Sequence, residues 1–313
     1  MAETVRDTIK RITKAHLELG NELFGQCLTA VGWVNDTIPS DAPNIVELSM
    51  ADVMAGGVVV GSSLVGKRPI FVVRYQGFQW FNAPMIVNYA GKSKEMWGIA
   101  CPIFIRSIAM EGGIGPVAGS SHHGIYLRTP GIKIASPMTP MEYQSIYDIF
   151  MKGDDPIYVS EHRKSYSNDQ ELQNIVHENP DFVLFPFSVT RFEAEKASLE
   201  LAHEGIKVSV FHQLWIHPLK PLEKELENLE KSKFGGLILD DDYPNGIAKQ
   251  IAYEFMIRTS KPVFVLCLKE KVAGFHPLHD NLPPTASEIV TFIKNRIERE
   301  AGNFHRNACY QGA

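Results

Sequence analysis

The sequence lacks several features that would define a class of protein at once. Four cysteines, Cys27, Cys101, Cys267 and Cys309, are widely spaced without a C-x-x-C pair, which argues against a disulfide framework or a zinc site and favours buried free thiols. No block of lysine and arginine occurs and the net charge is −5, so nucleic acid or an anionic membrane surface is not an expected partner. The longest apolar run, residues 53–65, is too short to span a bilayer. We therefore expect a protein of the reducing cytoplasm.

Common catalytic motifs are also missing. The chain has no G-x-x-x-x-G-K-[ST], G-x-S-x-G or H-E-x-x-H string, and the glycine-rich segment 111–124 lacks a G-x-G-x-x-G pattern. The acidic run Asp240 to Asp242 follows a predicted strand, where solvated helix or turn caps are more common than a metal site. The sequence therefore predicts no metal ligated by this chain.

What is present is an alternation of apolar strands and amphipathic helices along 313 residues. Such alternation indicates an α/β fold with two domains, each a mainly parallel sheet covered by helices. A polar stretch without periodicity, residues 165–181, marks the expected boundary. We predict a first domain over residues 1–180, a second over 181–301, and a flexible tail over 302–313.

The stretch from Asn44 to Ile70 has the most unusual composition. It reads as a strand, then Asp52, then a helix of small and aliphatic residues that contains Gly57 and Gly61. Each glycine costs a helix about 1 kcal/mol, so a close approach of other parts of the structure is expected to compensate. From this pattern alone, Asp52 is either a helix cap or a functional carboxylate shielded from water.

Two further segments attract attention. Residues 78–92 predict a helix with a wide aromatic face. The pair His122 and His123 ends the glycine-rich segment after a strand, where open α/β sheets usually bind ligands. Taken alone, this pair is as well explained by a structural role as by a functional one.

Together these pieces resemble the pyrimidine-binding half of thiamine-diphosphate enzymes of the transketolase group. The resemblance is to beta subunits of the first component of 2-oxo-acid dehydrogenases and to the C-terminal halves of split transketolases, and it covers nearly the whole chain. The matching strings are Gly57 with Gly61, Gly66-Lys67-Arg68-Pro69, Asn88 with Ala90 and Lys92, Gln213 to Leu219, and His279 to Pro284.

This resemblance implies a cofactor site for thiamine diphosphate. Asp52 stands where the family has a glutamate that hydrogen-bonds the aminopyrimidine ring and thereby promotes removal of the thiazolium proton. A carboxyl in an apolar site has a raised proton affinity, which suits this proton sharing. Phe78 matches the aromatic residue that stacks on the pyrimidine. Met50 and Arg74 match neighbouring positions that contact the cofactor.

The resemblance also implies a substrate side. His122 matches the active-site histidine of the beta subunits, and the doubled His122-His123 resembles the split transketolases. His123 and Arg74 would line the substrate side, where an arginine favours an anionic group. An ion pair at a strand end remains the alternative for Arg74.

Two departures from the family pattern matter. The G-D-G motif that holds Mg²⁺ and the diphosphate is absent, because Gly153-Asp154-Asp155 and Asp240 to Asp242 do not match it. This implies an alpha-type partner subunit that carries the Mg²⁺ and diphosphate site, in an α2β2 assembly. Aspartate is also one methylene shorter than glutamate, and catalysis responds to displacements on the order of 1 Å. Small neighbours of Asp52, among them Ala55 and Gly56, permit a closer approach to the cofactor.

We therefore expect a catalytic beta-type subunit acting on a 2-oxo acid or a ketose, by decarboxylation or by acyl or ketol transfer. One alternative is a regulatory or scaffolding subunit in which Asp52 marks a degenerate site. Another is a free-standing α/β protein that binds some other small molecule and remains a monomer.

Overall fold

The computed structural model describes residues 2–28, 34–40, 42–111, 119, 121–272 and 281–310, with side chains up to residue 300. The chain forms two compact units. The first comprises Met1–Leu172, Leu214–Leu219 and Glu270–Leu282, and the second comprises Gln173–Gln213, Lys220–Lys269 and Pro283–Ala313. The units change over inside the polar stretch 165–181, whereas the sequence-based boundary falls after residue 180. No helix among the described residues has the length and apolar character needed to cross a membrane.

The strands of the described residues are short and mostly buried. They are β1 Leu23–Gly25, β2 Ile45–Glu47, β3 Ile70–Val73, β4 Phe104–Ala109, β5 Lys133–Ala135, β6 Ile157–His162, β7 Phe182–Pro186, β8 Val208–Val210, β9 Trp215–His217, β10 Gly236–Leu239 and β11 Val263–Leu266.

The α-helices of the described residues alternate with these strands. They are α1 Val5–Glu18, α2 Asp52–Leu64, α3 Gln79–Met85, α4 Gly91–Trp97, α5 Pro140–Lys152, α6 Thr190–His203, α7 Glu223–Lys231, α8 Ala248–Thr259 and α9 Ala286–Tyr310. Shorter helical turns occur at Gln76–Phe78, His123–Tyr126 and Arg163–Ser167, and a π-helical turn occurs at Ile86–Ala90.

In the first unit, seven of the described strands form one sheet in the order β2-β1-β3-β4-β6-β5-β9. Neighbouring strands run parallel except β5 and β9. β3 is buried along its whole length, which explains its continuous apolar sequence. β4 is also buried throughout, although it contains Arg106 and Ser107. Ile9 and Ile12 of α1 and Tyr143 and Phe150 of α5 pack together in the core beside the sheet.

In the second unit, four of the described strands form a parallel sheet in the order β11-β10-β7-β8. Leu201 of α6 and Ile293 of α9 are completely buried and pack with strand residues such as Leu184. One mainly parallel sheet and one parallel sheet, each covered by helices, confirm the predicted fold class.

The helix α2 packs one face against α3 and leaves the other exposed. A Cβ added to Gly56 would lie 2.8 Å from the carbonyl oxygen of Asn82, so this glycine permits close contact between the helices. On the opposite face, Val53 is 58% exposed and Val65 is 80% exposed. A Cβ added to Gly61 would meet no atom within 4 Å. Within the described residues, this second face of α2 is an apolar surface without a covering.

The structure differs from the sequence-based elements in two places. The single helix predicted over residues 78–92 is divided into α3, the π-helical turn and α4, with Pro84 inside α3. Proline has no amide hydrogen for the helical ladder and disturbs the regular turn there. A tail was predicted from residue 302, but the backbone of α9 continues through Gly302 to Tyr310, because one glycine does not suffice to end a helix.

Candidate functional site

Polar side chains gather where β1 and β3 end. Gln26 follows β1, Arg74 follows β3, and Asp52 begins α2. Because these strands are parallel neighbours, their carboxyl ends meet at one edge of the sheet, the usual place for a ligand in such folds. The pocket at this edge is lined by Gln26, Asp52, Phe71, Val72, Val73, Arg74, Phe78 and Asn82.

Asp52 is not the cap of α2. The capping position is Ala51, which makes no side-chain capping hydrogen bond, and Asp52 is the first helical residue. A carboxylate there is favoured by the partial positive charge of the helix N-terminus. The side-chain amide of Gln26 lies 3.1 Å from the carbonyl oxygen of Ser49 and 3.4 Å from Asp52 Oδ1. Oδ2 takes no hydrogen bond from any described residue, so it can serve a ligand in the pocket.

Phe78 stands in a row of two neighbouring aromatic rings with a guanidinium group at each end. The guanidinium carbon of Arg74 lies 5.3 Å from the centre of the Phe78 ring, and that of Arg163 lies 5.4 Å from the centre of the Tyr75 ring. The two rings are 6.2 Å apart. Because such cation–π contacts are attractive, they hold the half-buried Phe78 in place.

Arg74 itself is only 4% exposed. The structure therefore adds a third role to the two considered from the sequence: its guanidinium supports the Phe78 ring. Recognition of a substrate anion by Arg74 stays a prediction.

Met50 lies apart from these contacts. It precedes α2 and is 71% exposed, and it is not among the described residues that line the pocket. Its contact with a cofactor stays a prediction.

The two histidines are held beside the turn that carries Phe78. The backbone amide of His122 donates a hydrogen bond to Gln76 Oε1 at 2.6 Å, and the ring of Trp80 meets the His122 ring edge-on at 6.2 Å. His123 is completely buried, with Nδ1 3.3 Å from Ser160 Oγ. Burial and, to a lesser extent, the neighbouring His123 lower the pKa of His122 to about 4. His122 is thus a neutral imidazole at pH 7.

Four residues of this region were not predicted from the sequence: Gln26, Gln76, Asn82 and Ser160. Gln26 follows β1 directly and Gln76 lies shortly after β3, and polar residues just beyond strand ends were the signal that could have found them. Asn82 lies inside an aromatic helix and Ser160 inside a strand, where the sequence carries no such signal.

The two acidic segments compared with metal-binding motifs, Asp154-Asp155 and Asp240 to Asp242, lie in different environments. Asp154 and Asp155 form ion pairs with Lys94 and Lys133, each at 3.1 Å. The prediction that Asp240 to Asp242 are solvated caps is wrong, because all three are buried. Ser188 donates a hydrogen bond to Asp241 at 2.8 Å, and the backbone amide of Tyr243 donates one to Asp242 at 2.7 Å. Such bonds offset part of the cost of burying the carboxylates.

Two predicted segments lie outside the described residues. Most of the glycine-rich segment, residues 112–118 and 120, is one of them. The other is 273–280, which includes His279 and Asp280.

The family model for the transketolase pyrimidine-binding domain matches residues 29–168. The beta subunit of acetoin:2,6-dichlorophenolindophenol oxidoreductase from Cupriavidus necator is 24% identical, over 77% of this chain and 77% of that protein. The beta subunit of 2-oxoisovalerate dehydrogenase from Bacillus subtilis is 25% identical, over 66% of this chain and 68% of its own length. The beta subunit of the pyruvate dehydrogenase E1 component from the same species is 22% identical, over 79% and 84% respectively.

A solved structure has a similar fold. It is a split-gene transketolase, described as an inactive beta4 tetramer, with a TM-score of 0.71 and 14% sequence identity. The match covers 95% of this chain and 99% of that one. Residues 29–168 thus match a transketolase pyrimidine-binding domain, and the chain has a transketolase-like fold. The resemblance seen in the sequence is confirmed, because the chain is similar to beta subunits of 2-oxo-acid dehydrogenases and to a split-gene transketolase.

Proposed function

We propose that this chain is the catalytic beta-type subunit of a thiamine-diphosphate-dependent enzyme that acts on a 2-oxo acid or a ketose. The observation that carries the proposal is the pocket in which Asp52, at the first position of α2, lies with the aromatic ring of Phe78. The named activities of the relatives, which act on acetoin, 2-oxoisovalerate and pyruvate, support a 2-oxo-acid or ketol substrate.

The pocket residues suit the pyrimidine end of the cofactor. An aminopyrimidine presents a flat aromatic face and ring nitrogens, so it needs a stacking ring and a carboxyl group. Phe78 supplies the first and Asp52 the second, with Gln26 beside one carboxylate oxygen. The chain contains no G-D-G string for the diphosphate, so that end of the cofactor calls for other residues.

Thiamine diphosphate, when bound, supplies the carbon nucleophile and the electron sink. Asp52 would share a proton with the pyrimidine ring through Oδ2, while the Gln26 amide limits rotation of the carboxylate. His122, neutral at pH 7, would hydrogen-bond the substrate oxygen without bringing a positive charge. The supported ring of Phe78 would exclude water from one face of the pyrimidine.

Two partners complete the proposal. An alpha-type subunit would carry Mg²⁺ and the diphosphate site. A second copy of this chain would cover the exposed face of α2, giving an α2β2 assembly, and the beta4 tetramer of the structural neighbour supports such self-association. We also place the protein in the cytoplasm, since Cys27, Cys101 and Cys267 are free thiols.

The test is co-expression with an alpha-type chain, followed by calorimetric titration of the complex with thiamine diphosphate and Mg²⁺. The complex should bind the cofactor, and tight binding by this chain alone would contradict the need for an alpha-type partner. Asp52→Asn in the complex should preserve the shape of the pocket but abolish turnover. Asp154→Asn, which removes an exposed carboxylate outside the pocket, is the matched control and should retain turnover.

Exchange of the thiazolium proton with deuterium tests the regulatory alternative directly. A catalytic complex should accelerate this exchange, and Asp52→Asn should slow it. A wild-type complex that binds cofactor without accelerating exchange would identify a non-catalytic subunit.

A further inference from the structure

We propose that Gln76 is a positioning residue that fixes the tautomer of His123 through Ser160 and holds the backbone of His122. This inference deepens the proposed function, on which its catalytic consequence rests. The hydrogen bonds that carry it involve the described residues of the first unit alone.

The side-chain amide of Gln76 has one possible orientation. Its Nε2 lies 3.1 Å from the carbonyl oxygen of Ser107, which can only accept a hydrogen bond. Its Oε1 lies 2.6 Å from the backbone nitrogen of His122, which can only donate one. Both contacts require the same assignment of nitrogen and oxygen, and the residue is 1% exposed, so water does not compete for it.

The second hydrogen on Gln76 Nε2 points to Ser160 Oγ at 2.8 Å. Ser160 is completely buried and must accept this bond. Its own hydroxyl hydrogen then needs an acceptor. Among the described residues, the acceptor within hydrogen-bond distance is Nδ1 of His123 at 3.3 Å.

The tautomer of His123 follows from this chain of bonds. If Nδ1 carried the proton, Ser160 would accept two hydrogen bonds and its hydroxyl hydrogen would be buried without an acceptor, which costs about 1–3 kcal/mol. With Nδ1 unprotonated, the Ser160 hydroxyl donates to it while accepting from Gln76, so both hydrogen-bonding roles of the hydroxyl are used. The neutral ring therefore carries its proton on Nε2, and that nitrogen is a hydrogen-bond donor.

Gln76 thus acts on both histidines by different routes. It holds the backbone of His122 directly, and it sets the proton position of His123 through Ser160. In the proposed enzyme, His122 would have a fixed backbone position and His123 would have a fixed hydrogen-bond donor at Nε2. Neither histidine would need to reorganise when the substrate binds.

The experiment uses the full chain labelled with nitrogen-15 histidine, and records long-range proton–nitrogen correlations at pH 7.5. His123→Gln identifies the signals of His123 among the 11 histidines. We expect a protonated-type shift at Nε2 and an unprotonated-type shift at Nδ1. The opposite pattern in the wild-type chain would overturn the proposal without any further variant.

Gln76→Glu gives a sharper test. Glutamate can still accept from the His122 amide, but it cannot donate to Ser160. The Ser160 hydroxyl would then donate to the carboxylate, and His123 should change to the Nδ1-protonated tautomer. Ser160→Ala should remove the preference for one tautomer, and Ser160→Thr should restore it. An unchanged tautomer in both Gln76→Glu and Ser160→Ala refutes the assignment.

Gln79→Met is the matched control. Gln79 is also a buried glutamine of this region, but it donates to Asn82 and Tyr126. Its loss should lower stability without changing the His123 tautomer. In the complex with the alpha-type chain, Ser160→Ala should lower kcat by roughly tenfold or more. The tautomer is measured on this chain alone, so its result remains valid if the complex proves to be inactive.

Discussion

Replacing Gly61 by alanine should stabilise the dissociated chain while weakening its association with a second copy. Gly61 lies inside α2 on the exposed apolar face. A Cβ there meets nothing within 4 Å, so no contact inside the described chain requires a glycine. We infer that the requirement comes from outside, from a helix that packs closely across Gly57 and Gly61.

The magnitude follows from two opposed effects. Alanine in place of glycine stabilises an exposed helix interior by about 1 kcal/mol. At Gly56 the same gain applies, but the new methyl group would lie 2.8 Å from Asn82 O and 3.1 Å from Asn82 Cβ. Overpacking of this kind costs about 1–3 kcal/mol. Gly61→Ala should therefore raise the free energy of unfolding. Gly56→Ala should lower the free energy of unfolding or leave it nearly unchanged.

The assay combines urea unfolding with sedimentation equilibrium over a range of protein concentrations. An associating chain has an unfolding midpoint that rises with concentration. The wild-type chain should show this dependence, whereas Gly61→Ala should show a weaker dependence and a higher midpoint at the lowest concentration. Leu199→Ala, which shortens an exposed side chain in the second unit, serves as a control for loss of apolar surface.

Two results would refute the reasoning. If Gly61→Ala lowers the stability of the dissociated chain, then the added methyl group clashes with another part of the same chain, which contradicts the open space around Gly61. If association is unchanged by the substitution, then the exposed face of α2 is not the interface.

Three further predictions concern other parts of the first unit. Burial lowers the pKa of His16 to about 4, so the unfolded chain binds more protons between about pH 6.5 and 4. The free energy of unfolding should fall by up to about 3 kcal/mol as the pH falls through this window, and urea titrations of His16→Gln should show a smaller fall. Glu161→Gln leaves the buried Arg106 without its carboxylate partner at 2.8 Å, and should cost about 3–5 kcal/mol in urea unfolding; a loss below 1 kcal/mol would contradict this account. Phe78→Ala should weaken thiamine diphosphate binding to the complex by roughly tenfold, measured by calorimetry, because about 1–1.5 kcal/mol of aromatic stacking is lost.

The sequence was informative where local chemistry decides the outcome. The continuous apolar run of β3 predicted a buried strand, and all four of its residues are buried. The order of strand, turn and helix predicted that Asp52 lies at the N-terminus of a helix, and Asp52 is the first residue of α2. In such a unit the helix begins at the carboxyl end of the preceding strand.

Long-range contacts explain what the sequence left open. The bond between Gln76 and Ser160 joins residues 84 positions apart, and neither residue is unusual among its neighbours. β9 was not predicted because its three residues are too few for a period and its pairing with β5 is antiparallel at the edge of the sheet. The acids Asp240 to Asp242 looked solvated because charge usually means exposure, whereas partners such as Ser188, distant in sequence, accompany their burial.

The close packing of α2 against α3 offers a physical reason why an aspartate can replace the longer glutamate at position 52. Residues four apart lie on one face of a helix, so Asp52 and Gly56 face the same side. Gly56 lets α3 approach so closely that Asn82, which lines the pocket, would collide with any larger side chain there. Asn82 and the rest of α3 therefore lie close to α2, the helix that carries Asp52. In the proposed site, a carboxyl group one methylene shorter would then reach the cofactor, because the closer backbone would offset the lost length.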